Sequence, residues 1–318
     1  MEHASNSRVI AVVGPTAVGK TAVAETLALA LGGEIVSADA MQVYRGMDIG
    51  TAKAPVTERR VPYHCIDLVD PGTPYSAALF QYDARDAIEG LASRGSIPVL
   101  CGGTGMYVRA ALDDWEFPAG DSATPARARL EALASEIGPE ALHARLAELD
   151  ADAAAAIHPN NVRRVIRALE MAEEGTSYAD QARRFSTRTS IYDATLIGLT
   201  MERSQLYAAI DARVDAMIAA GLLREVETLL AAGFGEALIA TQAIGYKELV
   251  PVLLDGASFE EAVESIKQAT RRYAKRQLTW FRGDPRVTWL DVTGMSPADA
   301  AARSLDLVES LVPSLRRL

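Results

Sequence analysis

The segment Gly14–Thr21 has the residue types and the spacing that bind phosphate groups. Its sequence, GPTAVGKT, matches the pattern GxxxxGK[ST] in full. In such a loop, backbone amides and the positive end of the following helix bind phosphate oxygens, Lys20 adds a positive charge and the Thr21 hydroxyl binds Mg²⁺. We predict a site for a diphosphate or triphosphate with a metal ion in this segment, the phosphate loop, which consists of Gly14, Pro15, Thr16, Ala17, Val18, Gly19, Lys20 and Thr21.

The acidic residues near this loop favour a reaction other than nucleotide hydrolysis. A nucleotide hydrolase usually carries an acid at the end of an apolar strand, where it helps to hold Mg²⁺. Here the best late strand ends in Cys101–Gly105, which contains no acid, and the one well-placed strand-end carboxylate is Asp39, which closes EIVSAD. An allylic diphosphate, whose diphosphate is the leaving group, suits the loop as well as ATP does. The motif alone therefore leaves an ATPase, a kinase and a prenyltransferase open.

The patterns around the motif predict an α/β fold. Strands that alternate with helices imply a parallel sheet, and from Thr124 to about Thr189 the sequence is rich in alanine, arginine and glutamate with almost no strand pattern. We predict a P-loop NTPase-like core formed by residues 1–119 and 189–318, with a helical insertion domain at 120–188. The predicted strands are 8–13, 34–39, 97–103, 190–200 and 286–292, and the predicted helices of the first half are 20–31 and 76–93.

The charge of the chain is unevenly distributed. The formal net charge of −10 is unfavourable for binding nucleic acid. However, Lys267–Arg286 holds seven basic residues and one acid, and Pro159–Arg188 holds six basic residues and four acids. An acidic body with two basic tracts is consistent with a localised polyanion site. Charge alone is equally consistent with solvated helix faces.

The composition is that of an ordinary globular protein. Hydrophobic residues make up 49% and charged residues 23% of the chain, and no apolar run approaches the roughly 20 residues that cross a bilayer. The first residues lack the charged-then-apolar layout of a signal peptide. The two cysteines, Cys65 and Cys101, lack the spacing of a zinc site or a disulfide framework. We expect a cytoplasmic protein with no membrane partner.

Seven sequence blocks follow one another along nearly the whole chain. They are GPTAVGKT (14–21), SADAMQVYRGMDIGTAK (37–53), VPYHCIDLVDP (61–71), GGTGMY (102–107), HPNNVRRVIRALE (158–170), QAIGYKEL (242–249) and TRRYAKRQLTWFR (270–282). Together they resemble the bacterial tRNA dimethylallyltransferase (tRNA isopentenyltransferase) family. The chain departs from the family pattern at Ala40, where serine is more frequent, and at Tyr63, which precedes His64 where a histidine pair is common.

The resemblance implies a reaction and its catalytic residues. Members of the family transfer a dimethylallyl group from dimethylallyl diphosphate to N6 of the adenosine at tRNA position 37, next to the anticodon, and release diphosphate. The phosphate loop would hold the leaving diphosphate with Mg²⁺ as cofactor, bound through Thr21. Asp39 is the candidate base that takes the proton of the adenine amine, and Thr16 helps to bridge the substrate and the loop. Asp39 as a helix cap or a Mg²⁺ ligand stays open.

The resemblance also implies which residues contact the anticodon loop of tRNA, from which the target base must be flipped. Gln42 is a candidate reader of base edges, with a surface residue as the alternative, and Thr104 is alternatively a helix N-cap. The implied tRNA contacts are Asp39, Ala40, Met41, Gln42, Thr104, Arg163, Arg164, Val165, Ile166 and Arg167.

Helical spacing supplies two further candidate tRNA contacts. Ser258 followed by Glu261 has the form of a capping box and predicts the start of a helix. On this helix Lys267, Arg271 and Lys275 recur every four residues and predict a basic stripe. We assign Arg271 and Lys275 to tRNA binding.

Two other functions stay open from the sequence. A small-nucleotide isopentenyltransferase would use the same phosphate loop and base, but it would need neither the helical insertion nor the second basic tract. A P-loop kinase or a nucleotide-dependent RNA-binding switch would bind ATP and hydrolyse it or transfer its phosphate. Tyr246 is the aromatic residue that we single out for a test of RNA contact. We expect the protein to act as a monomer.

Overall fold

The computed structural model describes residues 7–117, 124–233 and 243–317. The chain divides into two compact units, of which the larger comprises Met1–Asp113 with Ser190–Leu318 and the smaller comprises Asp114–Thr189. The predicted boundary between residues 119 and 120 lies outside the described residues. Within the three described ranges, no helix combines the length and the apolar character needed to cross a membrane.

A parallel sheet of six strands forms the centre of the larger unit. Its order is β3-β2-β4-β1-β5-β6, and every pair of neighbours is parallel, which confirms the predicted α/β class. β3 has two residues, too short to give a periodic signal in the sequence. The strands are β1 (Arg8–Val13), β2 (Gly33–Ser37), β3 (Tyr63–His64), β4 (Ile97–Gly102), β5 (Asp193–Thr200) and β6 (Val287–Asp291).

Twelve α-helices lie in the described parts of the chain. The helices of the larger unit are α1 (Lys20–Leu31), α2 (Ala77–Ser93), α3 (Gly105–Leu112), α8 (Arg203–Ala219), α9 (Leu222–Ala231), α10 (Tyr246–Leu254), α11 (Phe259–Arg282) and α12 (Pro297–Leu311). The helices of the smaller unit are α4 (Pro125–Leu149), α5 (Ala151–Ala156), α6 (Val162–Glu173) and α7 (Tyr178–Ser186).

The core of the larger unit explains why β1 holds the phosphate loop in place. The last five residues of β1 are fully buried, because the strand lies between β4 and β5. Helix α1 packs against β4 and β2 and against α12, with Leu27 and Leu31 in the same apolar cluster as Val99 and Ile197. A loop between a buried strand and a buried helix has both of its ends fixed.

The smaller unit has its own apolar core. Helix α4 is interrupted at Gly138, which has a φ of 82° and precedes Pro139, so the segment is two helices joined at a kink. Helices α4 and α6 make the main contact within this unit. The residues that fill the core are Leu130, Leu142, Leu146, Ala153, Ile157, Val165, Ile166 and Leu169.

Candidate active site

The phosphate loop turns sharply at two glycines. Gly19, the residue before α1, has a left-handed φ of 95°. Gly14 has a φ of 142°, and a Cβ added there would lie 2.6 Å from the carbonyl oxygen of Leu199 on β5. Only glycine adopts these conformations without strain and allows the loop to pass so close to the neighbouring strand. The loop therefore lies at the carboxyl end of the sheet, where ligands of open α/β sheets bind.

Lys20 and Thr21 occupy the first turn of α1. The Lys20 Nζ donates a hydrogen bond of 2.6 Å to the carbonyl oxygen of Pro15, across the loop. Burial lowers the pKa of Lys20 to about 8, although the negative charge of Asp39 acts in the opposite direction. Thr21 is exposed. The loop thus carries a buried amino group whose charged form an anionic ligand would stabilise, and a hydroxyl that a metal ion can reach.

A cavity of about 70 Å³ adjoins the phosphate loop. Its wall contains Lys20 and Thr21 together with Asp39, which follows the end of the second strand of the chain. The structure thereby brings together the predicted phosphate site and the predicted base. The other predicted site residues in this wall are Thr16 and Gln42. Three further residues of the wall were not predicted as site residues: Arg213, Tyr273 and Gln277.

Asp39 lies in a turn rather than at the end of a strand. β2 ends at Ser37; the amide of Ala38 still donates to the carbonyl oxygen of Cys101 on β4, and the chain leaves the sheet after it. Asp39 is half-buried, and its Oδ1 accepts a hydrogen bond of 2.9 Å from the amide of Met41. One carboxylate oxygen therefore orders the turn and aims the group at the cavity. No α-helix begins at this turn, so the alternative of a helix cap does not apply.

Thr104 holds two loops together. It occupies the N-cap position of α3, but its hydroxyl does not cap that helix. Instead the Thr104 Oγ1 accepts a hydrogen bond of 3.0 Å from the amide of Ala40. The turn that carries Asp39 is thus fixed at both ends, by its own carboxylate and by Thr104. This contact required tertiary information, since Ala40 and Thr104 are far apart in the sequence.

Gln42 is engaged within the protein. Its Oε1 accepts a hydrogen bond of 2.9 Å from Ser37, and its Nε2 donates to the carbonyl oxygen of Thr51 at 3.2 Å. It is therefore not the surface residue of the alternative interpretation. To contact a base edge, the Gln42 amide would have to exchange one of these two bonds. In this structure it links the turn after β2 to the segment that ends at Thr51.

A larger cavity of about 480 Å³ shares Thr16, Asp39 and Arg213 with the smaller one. Three predicted tRNA contacts line this cavity: Ala40, Met41 and Thr104. Three arginines that were not predicted as site residues line it as well, Arg213 on α8 and Arg272 and Arg276 on α11.

The charges of this wall are influenced by burial. Burial lowers the pKa of Arg213, and the negative charge of Asp39 opposes this shift. Burial also raises the pKa of Tyr273, another residue of this wall, to about 12. Tyr273 is consequently a neutral hydrogen-bonding group, and Asp39 is the carboxylate in this wall.

The three residues of the basic stripe on α11 differ in their surroundings: two pair with acids of α8 and one is exposed. Arg271 donates to both carboxylate oxygens of Asp211 on α8 at 2.7 Å, and Lys267 pairs with Asp215 at 2.7 Å. Lys275 is exposed. Lys267 and Arg271 therefore form ion pairs between α11 and α8. Arg271, predicted to bind tRNA, is held by Asp211, whereas its neighbour Arg272 faces the larger cavity.

Only some of the residues of α6 that are predicted to contact tRNA have exposed side chains. Arg163 and Arg164 are exposed, whereas Val165 and Ile166 are 0% and 3% exposed in the core of that unit. The side chains of Val165 and Ile166 therefore pack within this unit, and the prediction that these two residues contact tRNA stays a prediction that only their backbone atoms could meet. Arg167 lies 3.7 Å from the buried carboxylate of Glu170. The amphipathic period of α6 explains the division, because consecutive residues lie on different faces.

Tyr246 has a structural role that explains its place in the GYKE turn. It is fully buried, and its hydroxyl donates a hydrogen bond of 2.6 Å to Glu225. The same carboxylate accepts hydrogen bonds from the amides of Asp48, Ile49 and Gly50. Glu225 and Tyr246 thus order the segment before Thr51 in the wall of the larger cavity. RNA contact through the Tyr246 hydroxyl is not favoured by this geometry.

The lowered pKa of Lys20 leads to a pH-dependent prediction. Below about pH 8 Lys20 is charged in the free protein, and the dissociation constant for inorganic diphosphate should be independent of this group. Above pH 8 the neutral amine of Lys20 must first take up a proton, so the dissociation constant for diphosphate should rise by about tenfold per pH unit. Titration calorimetry between pH 7 and 10 measures this. Lys20→Arg, whose charge persists, is the control: because diphosphate itself titrates in this range for both proteins, the difference between the two profiles reports on Lys20. A difference without a break near pH 8 would contradict the assignment.

Two family models match the chain. The model described as IPP transferase matches residues 42–284, and the model described as isopentenyl transferase matches residues 7–61. A tRNA dimethylallyltransferase from Geobacillus thermodenitrificans is 46% identical over 310 residues, covering 97% of this chain and 98% of the relative. Another from Exiguobacterium sibiricum is 49% identical over 294 residues, covering 92% of both proteins.

Solved structures agree with these relatives. The tRNA isopentenylpyrophosphate transferase of Bacillus halodurans superposes with a TM-score of 0.72 at 42% identity, over 98% of this chain and 99% of the other. A eukaryotic dimethylallyltransferase acting on tRNA superposes with a TM-score of 0.79 at 29% identity, over 96% of this chain and 78% of the other. The chain therefore belongs to the IPP transferase family of tRNA dimethylallyltransferases.

Proposed function

We propose that this protein transfers the dimethylallyl group of dimethylallyl diphosphate to N6 of adenosine at position 37 of tRNA and releases diphosphate. The observation that carries the proposal is the small cavity, whose wall joins Lys20 and Thr21 of the phosphate loop to Asp39. A phosphate-binding loop beside one ordered carboxylate suits a reaction in which a diphosphate leaves while an amine loses a proton.

The residues that line the two cavities have different roles in the proposed reaction. The N6 amine attacks C1 of the dimethylallyl group, and the bond from C1 to the diphosphate oxygen breaks, with its electron pair leaving on the diphosphate. Lys20 and Arg213 stabilise the negative charge that grows on the leaving group. Asp39 accepts the proton that the amine loses. The hydrogen bond from Met41 to Asp39 Oδ1 leaves the other carboxylate oxygen for this proton.

The donor groups of the site fit Mg²⁺ as the cofactor. Mg²⁺ usually keeps several waters and binds through one or two protein ligands together with substrate phosphates. Thr21 offers an exposed hydroxyl in the wall that also contains Asp39, and within the described residues no group of three or more His, Cys, Asp or Glu side chains forms a dedicated metal site. Bound there with the diphosphate, the ion would supply positive charge to the leaving group.

The anticodon loop of tRNA is the proposed partner, and the protein is proposed to act on it as a monomer. The larger cavity, with Arg272 and Arg276 in its wall, would receive the flipped base and an adjoining phosphate, since flipping costs a few kcal/mol that backbone contacts must offset. The exposed residues Arg163 and Arg164 of the helical unit add candidate phosphate contacts. A free nucleotide would need neither arginine pair.

Nucleotide hydrolysis is the function that this geometry supports least. Of the two strands that flank β1, β4 lies on the side of β2; it ends at Gly102 and is followed by Gly103 and Thr104. A hydrolase usually has its metal-binding acid at such a strand end. Release of diphosphate from dimethylallyl diphosphate should therefore depend on tRNA, and a coupled diphosphate assay with and without unmodified tRNA tests this. Equal release in both arms would contradict transfer to tRNA.

Salt dependence should identify the arginines that bind tRNA. The double variant Arg272→Ala with Arg276→Ala should raise the dissociation constant for tRNA, and the slope of its logarithm against log salt should fall by about 1.5 units for two lost phosphate contacts. Arg271→Ala should change the slope little, because Asp211 already pairs with Arg271. Arg303→Ala, at an exposed position of α12, is the control. Fluorescence titrations at several salt concentrations measure these slopes, and an unchanged slope in the double variant would place the tRNA elsewhere.

A further inference from the structure

Gln277 is a buried polar residue that connects α11 to the phosphate loop. Gln277 is only 5% exposed to solvent. The Oε1 accepts a hydrogen bond of 2.8 Å from the amide of Thr16, and the Nε2 donates one of 3.0 Å to the carbonyl oxygen of Gly103. Because one end of the amide must accept and the other must donate, the orientation of the Gln277 side chain is determined.

The surroundings leave the Gln277 amide little freedom. A Cβ added at Gly103 would overlap the Gln277 Nε2, so the amide lies directly against the backbone that follows β4. On its other side it meets the phosphate loop at Thr16. The amide therefore links the loop that follows β1 to the segment that follows β4.

This position has a consequence for the ligand. The amides of a phosphate loop are the donors that receive phosphate oxygens, and the amide of Thr16 is already occupied by Gln277. The same residues line the cavity of about 70 Å³. A phosphate group that entered from the side of Thr16 would find that amide already bonded and would meet the negative end of the Gln277 carbonyl dipole.

We propose that Gln277 is a specificity-determining residue that makes the phosphate loop bind a diphosphate in preference to a chain with a third phosphate group. The loop then binds the two phosphates of an allylic diphosphate through its remaining amides, Lys20 and Thr21. A nucleoside triphosphate, whose chain is one phosphate longer, is disfavoured by the occupied Thr16 amide. The inference rests on the proposed function, because it takes the loop to be the diphosphate site.

The test compares inorganic diphosphate with inorganic triphosphate, each with Mg²⁺, by titration calorimetry on the full chain. In the wild-type protein the triphosphate should bind about tenfold more weakly than the diphosphate. In Gln277→Ala, which frees the Thr16 amide, this ratio should fall by about tenfold, mainly because the triphosphate binds more tightly. Gln268→Ala, at an exposed position of the same helix, should keep the wild-type ratio.

Each outcome of this comparison decides a different statement. Equal binding of the two anions to the wild-type protein, or an equal change of both constants in Gln277→Ala, overturns the inference and leaves the proposed function intact. Absence of diphosphate binding to the wild-type protein overturns both. Gln277→Asn keeps an amide but shortens the side chain by one methylene, so it provides the same comparison if Gln277→Ala does not fold, as judged by its circular dichroism spectrum.

Discussion

Asp39→Asn is expected to lower the rate of dimethylallyl transfer by about 10² to 10⁴ while leaving the dissociation constants for tRNA and diphosphate within a few-fold of wild type. Asparagine retains the Oδ1 that accepts the Met41 amide at 2.9 Å, so the turn should persist. What it loses is the ability to accept a proton from the adenine amine. Single-turnover transfer with labelled dimethylallyl diphosphate measures the rate.

Two further variants separate the proton transfer from the folding of the turn. Asp39→Ala removes the turn bond as well as the base and should therefore be at least as slow as Asp39→Asn. Asp306→Asn changes an exposed carboxylate of α12 and should transfer at the wild-type rate. Turnover of Asp39→Asn within threefold of wild type would show that another group, or water, takes the proton.

Lys20→Ala is expected to weaken the binding of diphosphate by about 10- to 150-fold, the equivalent of one hydrogen bond to a charged group. The side chain supplies the ammonium that bridges to Pro15 across the loop, and a neutral methyl group can replace neither its charge nor its bond. Arg303→Ala removes an exposed positive charge from α12 and is the matched control. Binding of inorganic diphosphate with Mg²⁺, followed by calorimetry, measures the effect.

The same preparations test the absence of nucleotide hydrolysis. Wild-type protein should release no inorganic phosphate from ATP above the level of Lys20→Ala, with or without tRNA, because β4 ends in Gly102 without a metal-binding acid. Sustained release of phosphate that depends on tRNA and is lost in Lys20→Ala would favour the nucleotide-dependent RNA-binding switch. A diphosphate affinity unchanged by Lys20→Ala would remove the phosphate loop from the site.

Local patterns predicted the elements that carry the phosphate loop. The predicted strand 8–13 and helix 20–31 agree with β1 and α1 at both ends, because an apolar run, two glycines and a helical period are all encoded within the same short segment. The helix start at Ser258 is confirmed as well, since its hydroxyl accepts a bond from the amide of Glu261 at 3.2 Å. Each of these signals lies within one short segment, so it can be recognised in the sequence without knowledge of the fold.

Contacts between distant segments were not predictable in this way. Helical spacing put Lys267, Arg271 and Lys275 on one face of α11, but it could not show that this face meets the acids of α8. Arg213 carries no local pattern, and helical spacing assigns Gln277 only to the buried face of α11. Both lie in the site because the fold brings their helices to the carboxyl end of the sheet. The resemblance to a family pointed to Val165 and Ile166, whereas the packing of α6 buries both.

The central claim is that the protein prenylates the adenine amine of one tRNA nucleoside. Unmodified tRNA that has adenosine at position 37 should be incubated with the protein, dimethylallyl diphosphate and Mg²⁺, digested to nucleosides and analysed by mass spectrometry. We predict an adenosine that carries one dimethylallyl group, absent when position 37 is replaced by guanosine and absent with Asp39→Ala. Unchanged nucleosides in the wild-type reaction, or the same product formed from free AMP as readily as from tRNA, would contradict the account.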